Sequence, residues 1–456
     1  MSITAWAAQD AAPAKEARPK LPPEVQAIVG LAFATPPEIA ADALIRIAAS
    51  NKIAERETRL QLIEQAFGLA ASARDRLRLR HISGGAMDSR EGMTDRAARL
   101  QMDALSLRTR AVRAVLQLDK AKAREMFGRL EAPEPQARSC EDSLVADVSD
   151  FYSLVAEITN QTFSAGERRL EQHVGFVRPF VLGVTSPVQA APAARLVRTL
   201  SLTPSQRDLL LASYVTALQS IPADGRSFAA TVNAADEEVR QLSETCRRDG
   251  LATDALKAAF DKYIEMQREA PRCASGNGAV DLGDEPSQAT KTHPYWTSGE
   301  AQGLLAGGMK LRWGPSGVPE RVLTLEDRKT NEWQAQLAET LNAVESWKPG
   351  PAETEADYFH QRCLLYETLV ELTPPGVKRD NVIASFLGFL TNSSIQSESP
   401  AEWATHGLEI LTRLRQSSDS DADRLFEAFL RSRSPALVLL ARMERLIPRS
   451  PLPAPQ

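Results

Sequence analysis

Apolar residues along this chain recur at intervals of three and four, and almost nowhere at intervals of two, so the backbone they specify is helical. Leu60, Ile63, Phe67 and Ala70 form one stripe, Leu100, Ala104, Leu107, Ala111, Val115 and Leu118 a second, and Leu211, Tyr214, Leu218 and Ile221 a third. One-sided stripes of this kind belong to helices that bury that side against neighbours. Helix starts are marked as well. Thr35-Pro36-Pro37-Glu38, Thr203-Pro204-Ser205-Gln206 and Ser399-Pro400-Ala401-Glu402 each place a hydroxyl at N-cap, proline at N1 and Glu or Gln at N3. In that arrangement the N-cap and N3 side chains satisfy each other's backbone donors, and proline loses a donor that had no partner.

Helices are expected nearly without interruption from residue 24 to 270 and again from 330 to 447, among them 37–49, 94–117, 141–160, 165–182, 204–221, 233–248, 400–415 and 435–447. The best strand candidate is the short run Arg76-Leu77-Arg78-Leu79-Arg80. The fold class expected is all-α. So many helices with short connections stack as antiparallel helical hairpins, in an α-solenoid-like or helical-repeat array, or curl into a toroid. TPPEIAADALIRIAAS and the segment after it read as one helix-turn-helix unit, and SPAEWATHGLEILTRL has a similar first helix. No fixed period of the tetratricopeptide or ankyrin kind runs through the chain.

Periodicity fails over residues 81–93 and, at greater length, over 271–320, which hold 9 of the 24 glycines. Loops longer than about 12–15 residues are uncommon inside compact domains. The expected organisation is therefore an arm over 1–20, a helical domain over 21–270, an irregular loop or linker over 271–320, a second helical domain over 321–447 and a proline-rich tail over 448–456. With 456 residues, 67 of them alanine, 43% hydrophobic, 25% charged and a net charge of −5, the chain belongs with helix-rich globular proteins. Collagen-like, low-complexity and disulfide-scaffold classes are excluded. No apolar run reaches the roughly 18–20 residues that cross a bilayer, so no membrane span is expected. Ala5-Trp6-Ala7 has the small-x-small form of a signal-peptidase site without the apolar stretch before it, and an extracytoplasmic location is slightly favoured over a cytoplasmic one.

Chemistry-bearing motifs are few. Gly303-Leu304-Leu305-Ala306-Gly307-Gly308-Met309-Lys310 misses the phosphate-loop spacing, because Met309 separates glycine from lysine and Leu311 stands where Ser or Thr is needed. No Ser-centred elbow occurs. The five histidines, at 81, 173, 293, 360 and 406, are scattered; His360 and Cys363 share a helix face, but two ligands make no metal site. Cys246 and Cys363 sit in apolar stripes and read as core. Cys140 is a conceivable nucleophile at a helix start, opposed by the adjacent Glu141 and Asp142, and Cys273 lies across a helix from Cys246. Trp333 and Trp347, with Leu337, Leu341 and Val344 between them, read as core. No cofactor or metal is called for.

Residues 46–130 carry 18 Arg and Lys against 10 Asp and Glu, and Arg96, Arg99, Arg110 and Arg113 line one face of the expected 94–117 helix. That face suits phosphates or an acidic partner, but few aromatics interleave and the whole chain is acidic, so a solvated face paired with local carboxylates is the plainer reading. Nucleic acid is accordingly disfavoured as a partner. The candidate binding residues are His293, Tyr295, Trp296, Arg312 and Trp313, gathered in the Gly-rich segment; aromatics on irregular backbone stack on sugars or anchor a peptide, or else pin the loop to the helices. The functional expectation is a non-enzymatic helical-repeat protein serving as a protein-interaction or scaffold module, its partner another protein. The alternative is an (α/α)-toroid enzyme acting on a carbohydrate.

Overall fold

The computed structural model describes residues 21–81, 90–138, 142, 144–269, 331–349, 354–374, 376–393, 399–416 and 422–449. Among them lie nineteen helices and one two-stranded sheet, an all-α helical array. The first run is α1 (Pro23–Ala32), α2 (Pro37–Ala49), α3 (Arg56–Ala70), α4 (Arg90–Ala98), α5 (Ala104–Leu116), α6 (Lys120–Phe127) and α7 (Ser149–Thr162). It continues as α8 (Ala165–Arg169), α9 (Gln172–Leu182), α10 (Pro187–Thr199), α11 (Pro204–Ser220), α12 (Gly225–Arg248) and α13 (Asp254–Glu269). The second run is α14 (Asn331–Ser346), α15 (Glu355–Leu372), α16 (Val377–Asn392), α17 (Pro400–Gln416), α18 (Ala422–Leu430) and α19 (Pro435–Leu446). No described helix is long and apolar enough to cross a membrane.

The amino-terminal hairpin lies in the middle of the array. On one side α2 packs on α3, α3 on α5, α5 on α7, α7 on α10 and α10 on α12, with α9, α11 and α13 alongside. On the other side α1 packs against α19, and α2 and α4 against α17, beyond which stand α15, α16 and α14. One continuous buried core runs from Val25 to Met443, so helices far apart in sequence share an interior.

Two expected helices are each divided by a residue in the left-handed region. The 94–117 helix breaks at Gln101, φ 53°, because the amides of Ala104 and Leu105 donate to the carbonyls of Asp75 and Arg76 at 2.8 and 3.1 Å. Asp103 then caps α5 by accepting from the Ser106 amide at 2.9 Å. The 165–182 helix breaks at Glu171, φ 56°. An L-residue in that conformation costs roughly 1–2 kcal/mol, whereas glycine adopts it without a clash. Glu171→Gly removes that cost but also the hydrogen bond that Glu171 accepts from Gln206, and adds glycine's unfolded-state freedom, so the urea midpoint is expected to shift by no more than about 0.5 kcal/mol in stability.

The expected 141–160 helix begins instead at Ser149. Leu144–Ala146 is a strand paired antiparallel with Leu79–His81, Leu79 opposite Ala146 and His81 opposite Leu144. Val145 is fully buried there, and Asp147 closes the strand by pairing with Arg78 at 2.8 Å and accepting from the Ser149 amide at 3.0 Å. Burial tends to raise the Asp147 carboxyl, but Arg78 and that amide outweigh it and hold it below its ordinary range. Gly250, φ +77°, ends α12: the Leu251 amide donates to the Cys246 carbonyl and the Gly250 amide to that of Arg247, the paired closure that glycine permits.

Of the three sequence-marked starts, Thr203 and Gln206 form the reciprocal cap of α11. At α2 the first cap residue is Pro36 and no side chain caps it. Thr35 donates to the Ala32 carbonyl at 2.7 Å, and Glu38 accepts from the Arg74 amide at 2.6 Å, so the end of α1 and the exit of α3 have drawn those side chains away. Glu402 of α17 is likewise drawn toward a neighbour.

Candidate functional site

The residues singled out from sequence for binding, His293, Tyr295, Trp296, Arg312 and Trp313, lie outside the described residues, as do Cys140, Cys273 and the Gly303–Lys310 stretch. Cys246 is a buried free thiol and Cys363 is fully buried, both as expected of core residues. Burial pushes the Cys246 thiol up, away from the reactive thiolate. Leu337, Val344 and Trp347 are buried as well.

The strongest concentration of titratable groups is one that sequence reasoning left dispersed. His360 and Glu367 stand seven residues apart on α15, two turns along one face. Glu402, His406 and Glu409 follow the same rule on α17, at intervals of four and three. Arg96 and Thr94 come from α4, which packs on both helices. His406 Nδ1 lies 2.6 Å from Glu367 Oε1, His406 Nε2 lies 3.1 Å from His360 Nδ1, and His360 Nε2 lies 3.3 Å from Glu402 Oε2. Thr94 Oγ1 donates to the other Glu402 oxygen at 2.7 Å. Arg96 donates from Nε to Glu409 Oε1 at 3.1 Å and its Nη2 stands 3.9 Å from Glu367 Oε2.

The result is a row: carboxylate, imidazole, imidazole, carboxylate. Three of its members are sealed, with His406 at 0%, Glu367 at 1% and His360 at 2% exposure, while Glu402 at the end of the row is partly exposed. Three hydrogen bonds need three protons. If His406 donates from Nδ1 to Glu367, its Nε2 must accept from His360 Nδ1, and one further proton must lie between His360 and Glu402. Burial holds the His406 imidazole well below its ordinary range, and the nearby His360 and Arg96 push the same way. His406 is therefore the neutral member. Burial tends to lower the Arg96 guanidinium, but Glu367 and Glu409 outweigh it and keep it above its ordinary value.

Such a row can pass a proton along its length. It does not offer a metal a coordination shell, since each carboxylate sits on the ring nitrogen opposite the imidazole–imidazole contact. Accordingly, no group of three or more His, Cys, Asp or Glu among the described residues converges as metal ligands would. The signal that could have found the row is a pair of histidines flanking apolar stripes, each followed at helical spacing by glutamate. What the sequence could not supply is that α15 and α17 face each other.

The expected arginine face is a correction of the same kind. With the helix broken at Gln101, Arg96 turns into the row. Arg110 donates to Asp42 Oδ1 at 2.7 Å, Arg113 pairs with Glu157 at 3.0 Å and Arg99 with Asp95 at 3.5 Å. Only the last of these partners is local. Comparison of the chain with family models, with curated proteins and with solved structures returns no match.

Proposed function

We propose that this chain is a non-enzymatic helical scaffold whose partner is another protein. The observation that carries this reading is the solvent face of α9 and α11. These helices run parallel, because Gln206 bonds Glu171 and Arg178 bonds Ser213, the same seven-residue advance on each. Their outer face exposes Leu182 and Leu209 to 40% and 41%, beside exposed Gly175, Pro179 and Ala212. Large aliphatic side chains among small ones, with the exposed Arg178 at the seam and Asp208 beside Leu209, suit a protein surface more than a polar small molecule. The frame behind them is stiffened by ionic networks that join helices remote in sequence, as a scaffold requires. His293, Tyr295, Trp296, Arg312 and Trp313 remain part of this reading as a second contact.

The test starts with affinity capture from the native host, followed by titration of the purified partner against the full chain. Leu182→Glu with Leu209→Glu is expected to weaken binding by at least ~30-fold, the scale of a lost hot spot, with an unchanged melting midpoint. Trp296→Ala with Trp313→Ala reports the second contact separately. Failure of any protein to bind, together with turnover of a member of a glycan panel, overturns the scaffold reading.

A further inference from the structure

We propose that the Glu367–His406–His360–Glu402 row is a proton-operated latch, holding α15 to α17 and both to α4 at neutral pH and releasing them as the medium acidifies. The argument is one of hydrogen-bond parity. With three protons every contact in the row joins a donor to an acceptor. A fourth proton on His406 would set its Nε2–H against the Nδ1–H of His360 at 3.1 Å, two donors face to face and a cation on a ring with no exposure to water. That contact cannot persist with both rings in place, so the helices that carry them must part.

The groups facing the pair are Arg96 and Thr94 from α4, Glu367 from α15, and Glu402 and Glu409 from α17. Among the described residues, several charges on other elements packed near α15 and α17 are engaged elsewhere. Asp42 of α2 and Glu444 of α19 bind Arg46, Glu427 of α18 pairs with Arg445, and Glu345 of α14 accepts from Ser385 of α16. Where α19 meets Gly407, beside His406, the contact is with Leu437 and Leu440.

The direction of the pH effect follows from linkage. A histidine held low in the folded state binds more protons when released, so closure is complete above its unfolded value of about 6.5 and weakens as pH falls below it. The closed-to-open ratio drops about tenfold for each pH unit until the folded-state value is reached. The carboxylates held low, such as Asp42 and Asp147, act only below about pH 4, and Asp103, which burial at the start of α5 holds high, favours the folded state as pH falls, the opposite sign to histidine.

Hydrogen exchange of the full chain, corrected for the pH dependence of the exchange chemistry itself, tests the latch. Amides of α15 and α17 are expected to open about tenfold more readily per unit below pH 6.5, while α10 and α12 keep their protection. His173, a buried residue of α9 itself and likewise held low by burial, responds in the same window, so the expected α15 and α17 response must survive His173→Gln. His406→Gln, which keeps a donor for Glu367 and an acceptor for His360, is expected to flatten the response of α15 and α17; if that variant does not fold, the wild-type profile decides. Protection of α15 and α17 unchanged to pH 5 overturns the proposal, as it would if the fourth proton settled on Glu402 with the Thr94 hydroxyl reversed. Simultaneous loss of protection in every helix overturns it too.

Discussion

Replacing Asp42 by alanine is expected to cost about 3–5 kcal/mol and to loosen α19 from the amino-terminal hairpin. Asp42 is 2% exposed and stands among three guanidinium groups: Arg110 at 2.7 Å, Arg46 at 3.7 Å and Arg449, the last two also pairing with Glu444. Burial by itself would push this carboxyl up. Arg449, Arg110 and Arg46 outweigh burial and hold it at about 2, against an ordinary value of 3.8. Removing the carboxylate takes a buried anion from three guanidinium groups at once, which is why the loss exceeds what any one surface ion pair contributes. Because the folded-state value is the lower one, the stabilisation is complete above pH 3.8 and is lost as pH falls toward 2, in total roughly 2 kcal/mol. Urea midpoints of the wild type and Asp42→Ala at pH 7 measure the first effect. Hydrogen exchange localised to 435–446 measures the second, and uniform loosening of all helices would show that the hub is not specific to the α1–α2–α19 junction.

Much of the scaffold is legible in the sequence because helix formation is decided locally. The stripe of α11 and its cap need only residues within one or two turns, and Thr203 and Gln206 sit where the sequence places them. Prediction is weakest where a distant element competes for the same atoms. Glu38 and Glu402 both carry the spacing of an N3 capping residue, yet the Arg74 amide claims one, and Thr94 and His360 reach the other. Continuous periodicity from Leu100 to Leu118 conceals the turn at Gln101, since nothing local announces that Asp75 and Arg76 will accept the amides of α5. The strand at Leu144–Ala146 exists because Leu79–His81 is there to pair with it. The histidine row is the extreme case. Its spacings on α15 and α17 are present in the sequence, but its chemistry depends on facing helices that no periodicity brings together.

Arg96 shows most clearly what that dependence does to energetics. On its own helix it reads as an outward charge; in the fold it is 4% exposed and bridges Glu409 and Glu367. Arg96→Ala is therefore expected to destabilise the chain at pH 7 by about 3–5 kcal/mol, because Glu367, at 1% exposure, loses the guanidinium 3.9 Å away. The same substitution changes how the row answers to protons. Arg96 is one of the groups that hold His406 low, so its removal lets the imidazole rise and gives the fourth proton a less hostile place. The deficit of Arg96→Ala should then shrink as pH falls from 6.5 to 5, the reverse of what a simple packing defect would do. Paired denaturation curves at pH 7 and pH 5 decide the matter: a gap between variant and wild type that narrows in acid follows from the charge coupling, and one that stays constant shows that Arg96 contributes through packing alone.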